Sequence, residues 1–257
     1  MRSVAGRKVR TMTITTMEYG GIDGFRPLLL DLHLPEPAEV PPPIVVFVHG
    51  GGWRRGSRQM FCPTWRDWQP GPFARLVAEG FAVASVDYRL SAEALFPAQL
   101  DDVTAAVGWL RAHAGELGVD AGRIVAWGES AGGHLAALLG LTVPGLAGVV
   151  DWYGPSDLRS HRGERELQLI GSPDRAAQAS PVTHVHPGAP PFHLAHGTAD
   201  QLVPVSQSEQ LTAALRASAV PVDLKLISGA GHLWVDAPDP EAIFAAAVRF
   251  THAVTDA

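Results

Sequence analysis

One serine lies between closely spaced glycines, directly after an apolar run. Residues 128–132 read Gly-Glu-Ser-Ala-Gly and match the pattern G-x-S-x-G, with Ser130 at its centre. The match follows the run RIVAW and opens the segment SAGGHLAALLG, which has the composition of a helix. A turn between strand and helix exposes the serine hydroxyl, as a nucleophile requires. The alternative is a helix N-cap serine in a tight turn, but the flanking elements favour the nucleophile.

A serine attacks a carbonyl only when a neighbouring base takes its proton, so a histidine is needed. In proteins that use this turn, the chain order is serine, then acid, then histidine. His232 lies in the glycine-rich stretch SGAGH, just after the apolar run VDLKLI. His252 belongs to a terminal amphipathic segment and is expected at the surface. We therefore predict His232 as the base.

A carboxylate between the serine and the histidine must orient the imidazole ring. Asp200, in the stretch HGTADQ, follows an apolar run and enters a loop, where the carboxyl end of a strand would place it. A structural turn aspartate is the alternative reading. The other acids considered are in strand interiors or in a polar insertion: Asp151, Asp157, Asp174 and Asp223. We predict Asp200 as the third member.

Three glycines follow another apolar run in the stretch VHGGGW at 48–53. Such a turn can cradle a phosphate or point backbone N–H groups at a developing oxyanion. The phosphate-binding patterns G-x-x-x-x-G-K-[ST] and G-x-G-x-x-G are absent at this turn. Gly51 and Gly52, together with Ala131 after the serine, are therefore the expected oxyanion donors. His49 is expected to organise the loop.

Aromatic residues are frequent near these motifs and could line an apolar substrate pocket. Packing on the surface of the domain is the alternative for the aromatic residues of the loop 60–70. Cys62 is expected to be an inert buried thiol, and His134 to pack near the serine turn. A zinc site at the cluster His184, His186, His193 and His196 is not favoured, so no metal is predicted. The predicted substrate-binding residues are Trp53, Phe61, Trp65, Trp68, Tyr153 and Trp234.

Eight apolar or alternating runs alternate with helical patterns along the chain. This alternation predicts an α/β fold with a mostly parallel sheet of about eight strands and helices on both faces. We expect one domain over residues 1–257. The polar segment at about 155–190 interrupts the alternation and is predicted to be a small lid-like insertion.

Composition excludes several classes of function. The 257 residues are 46% hydrophobic and carry a net charge of −6 without a basic cluster, which disfavours nucleic acid and membrane partners. The basic N-terminus lacks the apolar core of a signal peptide, and a single cysteine excludes an internal disulfide. A cytoplasmic protein without a cofactor is expected, and a homodimer is left open.

The motifs HGGGW, SVDYRL, GESAGG, HGTAD and GAGH occur in this order. In this respect the sequence resembles the α/β-hydrolase superfamily, especially bacterial HGGG carboxylesterases similar to hormone-sensitive lipase and to the feruloyl-esterase and kynurenine-formamidase branch. The resemblance extends from about residue 28 to the last predicted helix. It implies Ser130, Asp200 and His232 as a triad. A short insertion and no long cap before HGGGW imply an open site, which argues against a long-chain lipase.

The leading hypothesis is a serine carboxylesterase that hydrolyses short-chain or aromatic esters through an acyl-enzyme. An arylformamidase or a feruloyl-type esterase is the neighbouring alternative, and N-formyl anilides and hydroxycinnamate esters would separate them. A hypothesis of a different class is a ligand-binding protein on a silent hydrolase fold. Labelling of the serine by a fluorophosphonate distinguishes that class from an enzyme.

Overall fold

The computed structural model describes residues 12–160 and 163–256. The basic N-terminal stretch lies mostly outside these residues, as do two residues of the predicted insertion. The strands are β1 (Thr13–Gly20), β2 (Leu28–Leu34), β3 (Pro43–Val48), β4 (Ala82–Val86), β5 (Asp120–Glu129), β6 (Gly148–Trp152), β7 (Phe192–Gly197) and β8 (Val222–Ile227). The α-helices are α1 (Pro72–Ala78), α2 (Ala98–Leu117), α3 (Ala131–Thr142), α4 (Glu164–Ile170), α5 (Ser206–Ala217) and α6 (Pro240–Thr255).

The described strands form one eight-stranded sheet in the order β1-β2-β4-β3-β5-β6-β7-β8. Strand β2 pairs antiparallel with both β1 and β4, and all other pairs are parallel. The predicted mostly parallel sheet is thereby confirmed, and each of the eight predicted runs forms a strand. The short helices α1 and α4 were not predicted.

Alternate side chains of the central strands pack into two hydrophobic clusters, one on each face of the sheet. In β3, Ile44, Val46 and Val48 pack into one cluster with α2, α3 and α5, whereas Val45 and Phe47 pack into the other with α1 and α6. Successive side chains of a strand point to opposite faces, so a continuous apolar run indicates cover on both sides. Helices therefore lie on both faces, as the sequence predicts.

The turn from β5 to α3 depends on close backbone contacts that only glycine permits. A Cβ atom on Gly132 would lie 2.0 Å from the carbonyl oxygen of Val48, and one on Gly128 would lie 2.1 Å from that of Gly132. Between them, Ser130 has φ +54°, an unusual conformation for a residue with a side chain. The end of β3 and the serine turn are thus held in direct contact.

Glu129 joins the same two segments by hydrogen bonds. Its carboxylate accepts the N–H of Gly50 at 3.0 Å and the hydroxyl of Tyr153 at 3.0 Å. Burial raises the pKa of Glu129 to about 7, although both hydrogen bonds oppose this shift. Glu129, the residue before Ser130, therefore connects the serine turn to the glycine turn through a buried carboxyl group whose pKa is close to 7.

The helices of the described residues are too short or too polar to cross a membrane. The expected cytoplasmic location, the homodimer and the single-domain boundary stay predictions. The segment between β6 and β7 contains α4 and two short 3₁₀ turns, Pro173–Arg175 and Pro181–Thr183. Between residues 163 and 190, the predicted insertion therefore contains short helical elements.

We predict opposite effects of alanine at two helical glycines. Gly132→Ala should lower the free energy of unfolding by about 3 kcal/mol, since its methyl group overlaps the Val48 carbonyl. Gly108→Ala, in α2, has nothing within 4 Å of the new methyl group and should raise it by about 0.5–1 kcal/mol. Urea denaturation of both variants measures this. Equal effects would contradict the role assigned to the contact at Val48.

We predict that Glu129→Gln changes the pH dependence of stability. The amide can accept from Gly50 and donate to the oxygen of Tyr153. In the wild type, the pKa of this carboxyl is about 7 in the folded state against an ordinary 4.5. The folded state therefore holds the extra proton, and stability is lost as pH rises from about 4.5 to about 7.

The free energy of unfolding of Glu129→Gln, relative to that of the wild type, should accordingly rise by on the order of 3 kcal/mol between pH 4.5 and pH 8. Urea denaturation of both proteins at several pH values measures the difference, in which all other titrating groups cancel. A difference that stays constant with pH would show that the carboxyl has an ordinary pKa in the folded state.

Candidate active site

Ser130, His232 and Asp200 form a continuous chain of hydrogen bonds at the carboxyl edge of the sheet. The Oγ atom of Ser130 lies 2.9 Å from Nε2 of His232, and Nδ1 of His232 lies 2.6 Å from Oδ2 of Asp200. Ser130 follows β5, Asp200 follows β7 and His232 follows β8. The three residues that the sequence predicts from motif and chain order are thus brought together.

The Asp200 carboxylate is held by four donors. Its Oδ1 atom accepts the N–H groups of Leu202 at 2.8 Å and Val203 at 2.9 Å, while Oδ2 faces His232 and, at 3.3 Å, Nε2 of His196. Burial alone would raise the pKa of Asp200, but the hydrogen bonds from His196 and His232 hold it well below its usual range. Asp200 is therefore ionised at neutral pH and fixes the Nδ1–H tautomer of His232.

The loop of His232 is strained and is braced by another loop. Leu233 and Trp234 both have φ +61°. The Thr64 hydroxyl donates to the Leu233 carbonyl oxygen at 2.6 Å, and Sγ of Cys62 lies 3.5 Å from the same oxygen. Burial raises the pKa of the Cys62 thiol to about 11, so it stays protonated at neutral pH, as expected of an inert thiol. No sequence motif indicates this role for Thr64.

The glycine turn lies beside Ser130 and is organised by His49. Gly51 and Gly52 have φ +117° and +63°, conformations that favour glycine. The buried His49 ring donates from Nδ1 to the Gly50 carbonyl oxygen at 2.7 Å, and the Tyr88 hydroxyl donates to the His49 carbonyl oxygen at 3.0 Å. Burial lowers the pKa of His49 to about 4, so the ring is neutral. His49 thus organises the loop, as predicted.

A cavity of about 580 Å³ opens over the serine. The apolar part of its wall comes from Met60, Pro63, Leu202 and Leu233, and the polar part includes three arginines. The full set of lining residues is Gly51, Gly52, Arg54, Arg55, Gly56, Met60, Pro63, Glu129, Ser130, Arg165, Leu202, His232 and Leu233.

The aromatic side chains predicted to bind substrate are not part of this lining. Five of them are at most 6% exposed and pack in the two core clusters: Trp53, Phe61, Trp65, Tyr153 and Trp234. The sixth, Trp68, stacks on Trp65 with a centroid distance of 4.4 Å. Four of the rings contact Trp152 or Phe244 and cover one face of the sheet: Phe61, Trp65, Trp68 and Trp234. Trp53 lies in the other core cluster, edge-on to His134 at a centroid distance of 5.0 Å. The structure therefore assigns these rings to packing under and around the site, and Tyr153 contacts the His232 ring at 4.8 Å.

His134 and the four members of the histidine-rich segment each have a separate hydrogen-bond partner. His134 is buried near the serine turn, where its Nε2 donates to the Ala179 carbonyl oxygen at 2.7 Å, and burial lowers its pKa to about 4. The members of the histidine-rich segment face different groups: His184 the Gln178 carbonyl, His186 the Leu141 carbonyl, His193 the Asp223 carboxylate and His196 the Ser208 hydroxyl. Only His196 approaches the triad.

The chain is similar to esterases in sequence and structure. It is 33% identical over 220 residues to esterase LipC of Mycobacterium tuberculosis, an alignment that covers 75% of this chain and 53% of LipC. The chain spans about half the length of the curated relatives it matches. Esterase Est2 of Thermogutta terrifontis is 27% identical, with 94% of this chain and 92% of Est2 aligned and a TM-score of 0.76.

A second structure of the Thermogutta esterase shows it phosphorylated by paraoxon, at 26% identity, 94% coverage of both chains and a TM-score of 0.78. These structures share the α/β-hydrolase fold that the sequence predicts. The BD-FAE family profile matches residues 30–215, which include the glycine turn, Ser130 and Asp200. The chain therefore belongs to the BD-FAE family of α/β-hydrolases.

Proposed function

We propose that this protein is a serine carboxylesterase. The observation that carries the proposal is the hydrogen-bonded chain from Ser130 through His232 to an ionised Asp200, open to a cavity beside the glycine turn. A serine with such partners reacts with acyl compounds. The names of its relatives support an ester as substrate, since LipC and Est2 are both called esterases.

The reaction follows from these positions. Ser130 Oγ attacks the ester carbonyl carbon while His232 Nε2 takes its proton, and Asp200 stabilises the imidazolium that forms. The tetrahedral oxyanion is stabilised by the N–H groups of Gly51, Gly52 and Ala131. As the intermediate collapses, the carbon–oxygen bond to the alcohol breaks, and His232 protonates that alcohol. Water then attacks the acyl-enzyme with His232 again as base, which releases the acid and restores Ser130.

The proposed substrates have a short acyl chain. Est2 of Thermogutta terrifontis has been solved with propionate and with butyrate bound, at 27% and 25% identity to this chain. We also propose that residues 155–190 act as a small lid within a single domain, because α4 contributes Arg165 to the cavity wall.

We predict that Ser130→Ala lowers kcat for p-nitrophenyl acetate and butyrate by at least about 10³-fold, because no other group can form the acyl-enzyme. Ser218→Ala, at the end of α5, is the control and should retain wild-type turnover. A fluorophosphonate should label the wild type and not Ser130→Ala, as intact-mass spectrometry would show. Unlabelled wild-type protein without esterase activity would favour the ligand-binding alternative.

We predict that Asp200→Asn lowers kcat by about 10³–10⁴-fold with a smaller change in KM. The amide can present its NH₂ group to His232 Nδ1, which stabilises the tautomer that cannot take the serine proton. Steady-state kinetics with the same esters measures the effect, and circular dichroism checks that the variant is folded. A loss confined to KM would place Asp200 in substrate binding and remove it from the triad.

A further inference from the structure

Arginines are concentrated around the serine cavity. Arg54 and Arg55 directly follow the glycine turn, and Arg165 comes from α4 in the insertion between β6 and β7. All three are exposed, and all three line the cavity. The chain has a net charge of −6, so this is a local excess of positive charge on an acidic protein. A cleft lined by one sign of charge concentrates ligands of the opposite sign.

The side chain of Arg165 lies over the glycine turn. A Cβ atom on Gly52 would be 3.0 Å from Cδ of Arg165, so the arginine stem is almost in contact with the backbone of the turn. An adjoining recess of about 240 Å³ is lined by Arg54, Arg165 and Leu202, together with Gly163, Glu164 and Glu166. The two arginines thus border the same side of the site, next to the proposed oxyanion donors.

The carboxylates of the site do not neutralise these three cations. Glu129 lines the cavity, but its oxygens accept from Gly50 and Tyr153. Glu166 in the adjoining recess is buried and accepts the N–H of Gly163 at 2.7 Å. Glu164 is 3.3 Å from Arg54, and its side chain is 83% exposed, so this pair is weak. Within residues 12–160 and 163–256, Arg55 and Arg165 form no ion pair with a carboxylate. At least two guanidinium groups are therefore available to a ligand.

A guanidinium group presents a planar set of donors that matches a carboxylate. The opposite part of the cavity wall is apolar and comes from Met60, Pro63, Leu202 and Leu233. A ligand that fits this cavity has an apolar portion for the apolar wall and a carboxylate for the arginines. Its ester carbonyl lies at Ser130.

We propose that the preferred substrates are esters that carry a free carboxylate, recognised by Arg54, Arg55 and Arg165. This inference rests on the proposed esterase activity. The carboxylate can belong to the acyl or to the alcohol portion, because the arginines come from two separate segments around the serine. The arginines act on binding and on capture of the substrate, and the chemical steps stay with Ser130 and His232.

Two rigid pairs of esters test the proposal. On the alcohol side, 4-acetoxybenzoate is compared with 4-acetoxybenzamide, and on the acyl side, monomethyl terephthalate with methyl 4-carbamoylbenzoate. Each pair differs in charge and hardly in size. For at least one pair, kcat/KM should favour the anion about tenfold in low salt, because each exposed ion pair contributes only a few-fold. The preference should fall towards unity in 0.5 M NaCl, where exposed charges are screened.

Variants assign the preference to these arginines. In the double variant R55Q/R165Q, kcat/KM for the anionic ester relative to the neutral ester should fall about fivefold or more, which removes most of the preference. The matched control is Arg216→Gln, which removes an exposed arginine of α5 that does not line the cavity and should keep the wild-type ratio.

The results separate this inference from the esterase proposal. The inference is overturned if the anion preference survives in R55Q/R165Q. It is also overturned if the wild type hydrolyses the anionic ester of both pairs with a kcat/KM no higher than that of the neutral ester. In those cases the neutral esters are still hydrolysed, and the esterase proposal stands. If none of the four esters, nor p-nitrophenyl acetate, is hydrolysed, the proposed function itself is wrong.

Discussion

The contact between the first turn of α3 and the end of β3 is the constraint on which the site depends. Gly132 lies so close to the Val48 carbonyl that no other residue fits without a shift. This approach brings the serine turn and the glycine turn together, although they are about 80 residues apart in the sequence. Glu129 reinforces the same junction through Gly50. The proposed nucleophile and oxyanion donors are thus positioned by backbone packing, which folding has already arranged before substrate arrives.

Two carboxyl groups near the reacting atoms show how environment divides their roles. Asp200 accepts from two backbone N–H groups and two histidines, which keeps it ionised. Glu129 has two donors and full burial, and its pKa rises to about 7. Neutral His49 lies nearby with its pKa lowered to about 4. Charge is therefore concentrated at the one carboxylate that faces His232, the proposed base, where it would stabilise the imidazolium.

The order of the motifs was enough to predict Ser130, Asp200 and His232, because each follows an apolar strand whose end lies at one edge of a parallel sheet. The aromatic pocket was not predictable in the same way. Phe61 and Trp65 lie in a loop, and periodicity does not show which side of a loop faces the core. Glu129 occupies a variable position of its motif, and its partner Gly50 is set by tertiary packing. Helix α4 is short, and its polar segment resembles a loop.

The residues proposed to catalyse the reaction and those proposed to select the substrate belong to different parts of the structure. Side chains added at Gly51 or Gly132 would overlap backbone carbonyl oxygens, so changes at these glycines disturb folding together with the proposed chemistry. Arg165 belongs to a short helix outside the sheet, and its exposed side chain lies over Gly52 and lines the cavity. Exposed positions tolerate substitution at a small cost in stability. Under the two proposals, substrate preference can therefore change through α4 and the residues after the glycine turn, while the proposed reaction at Ser130 stays the same.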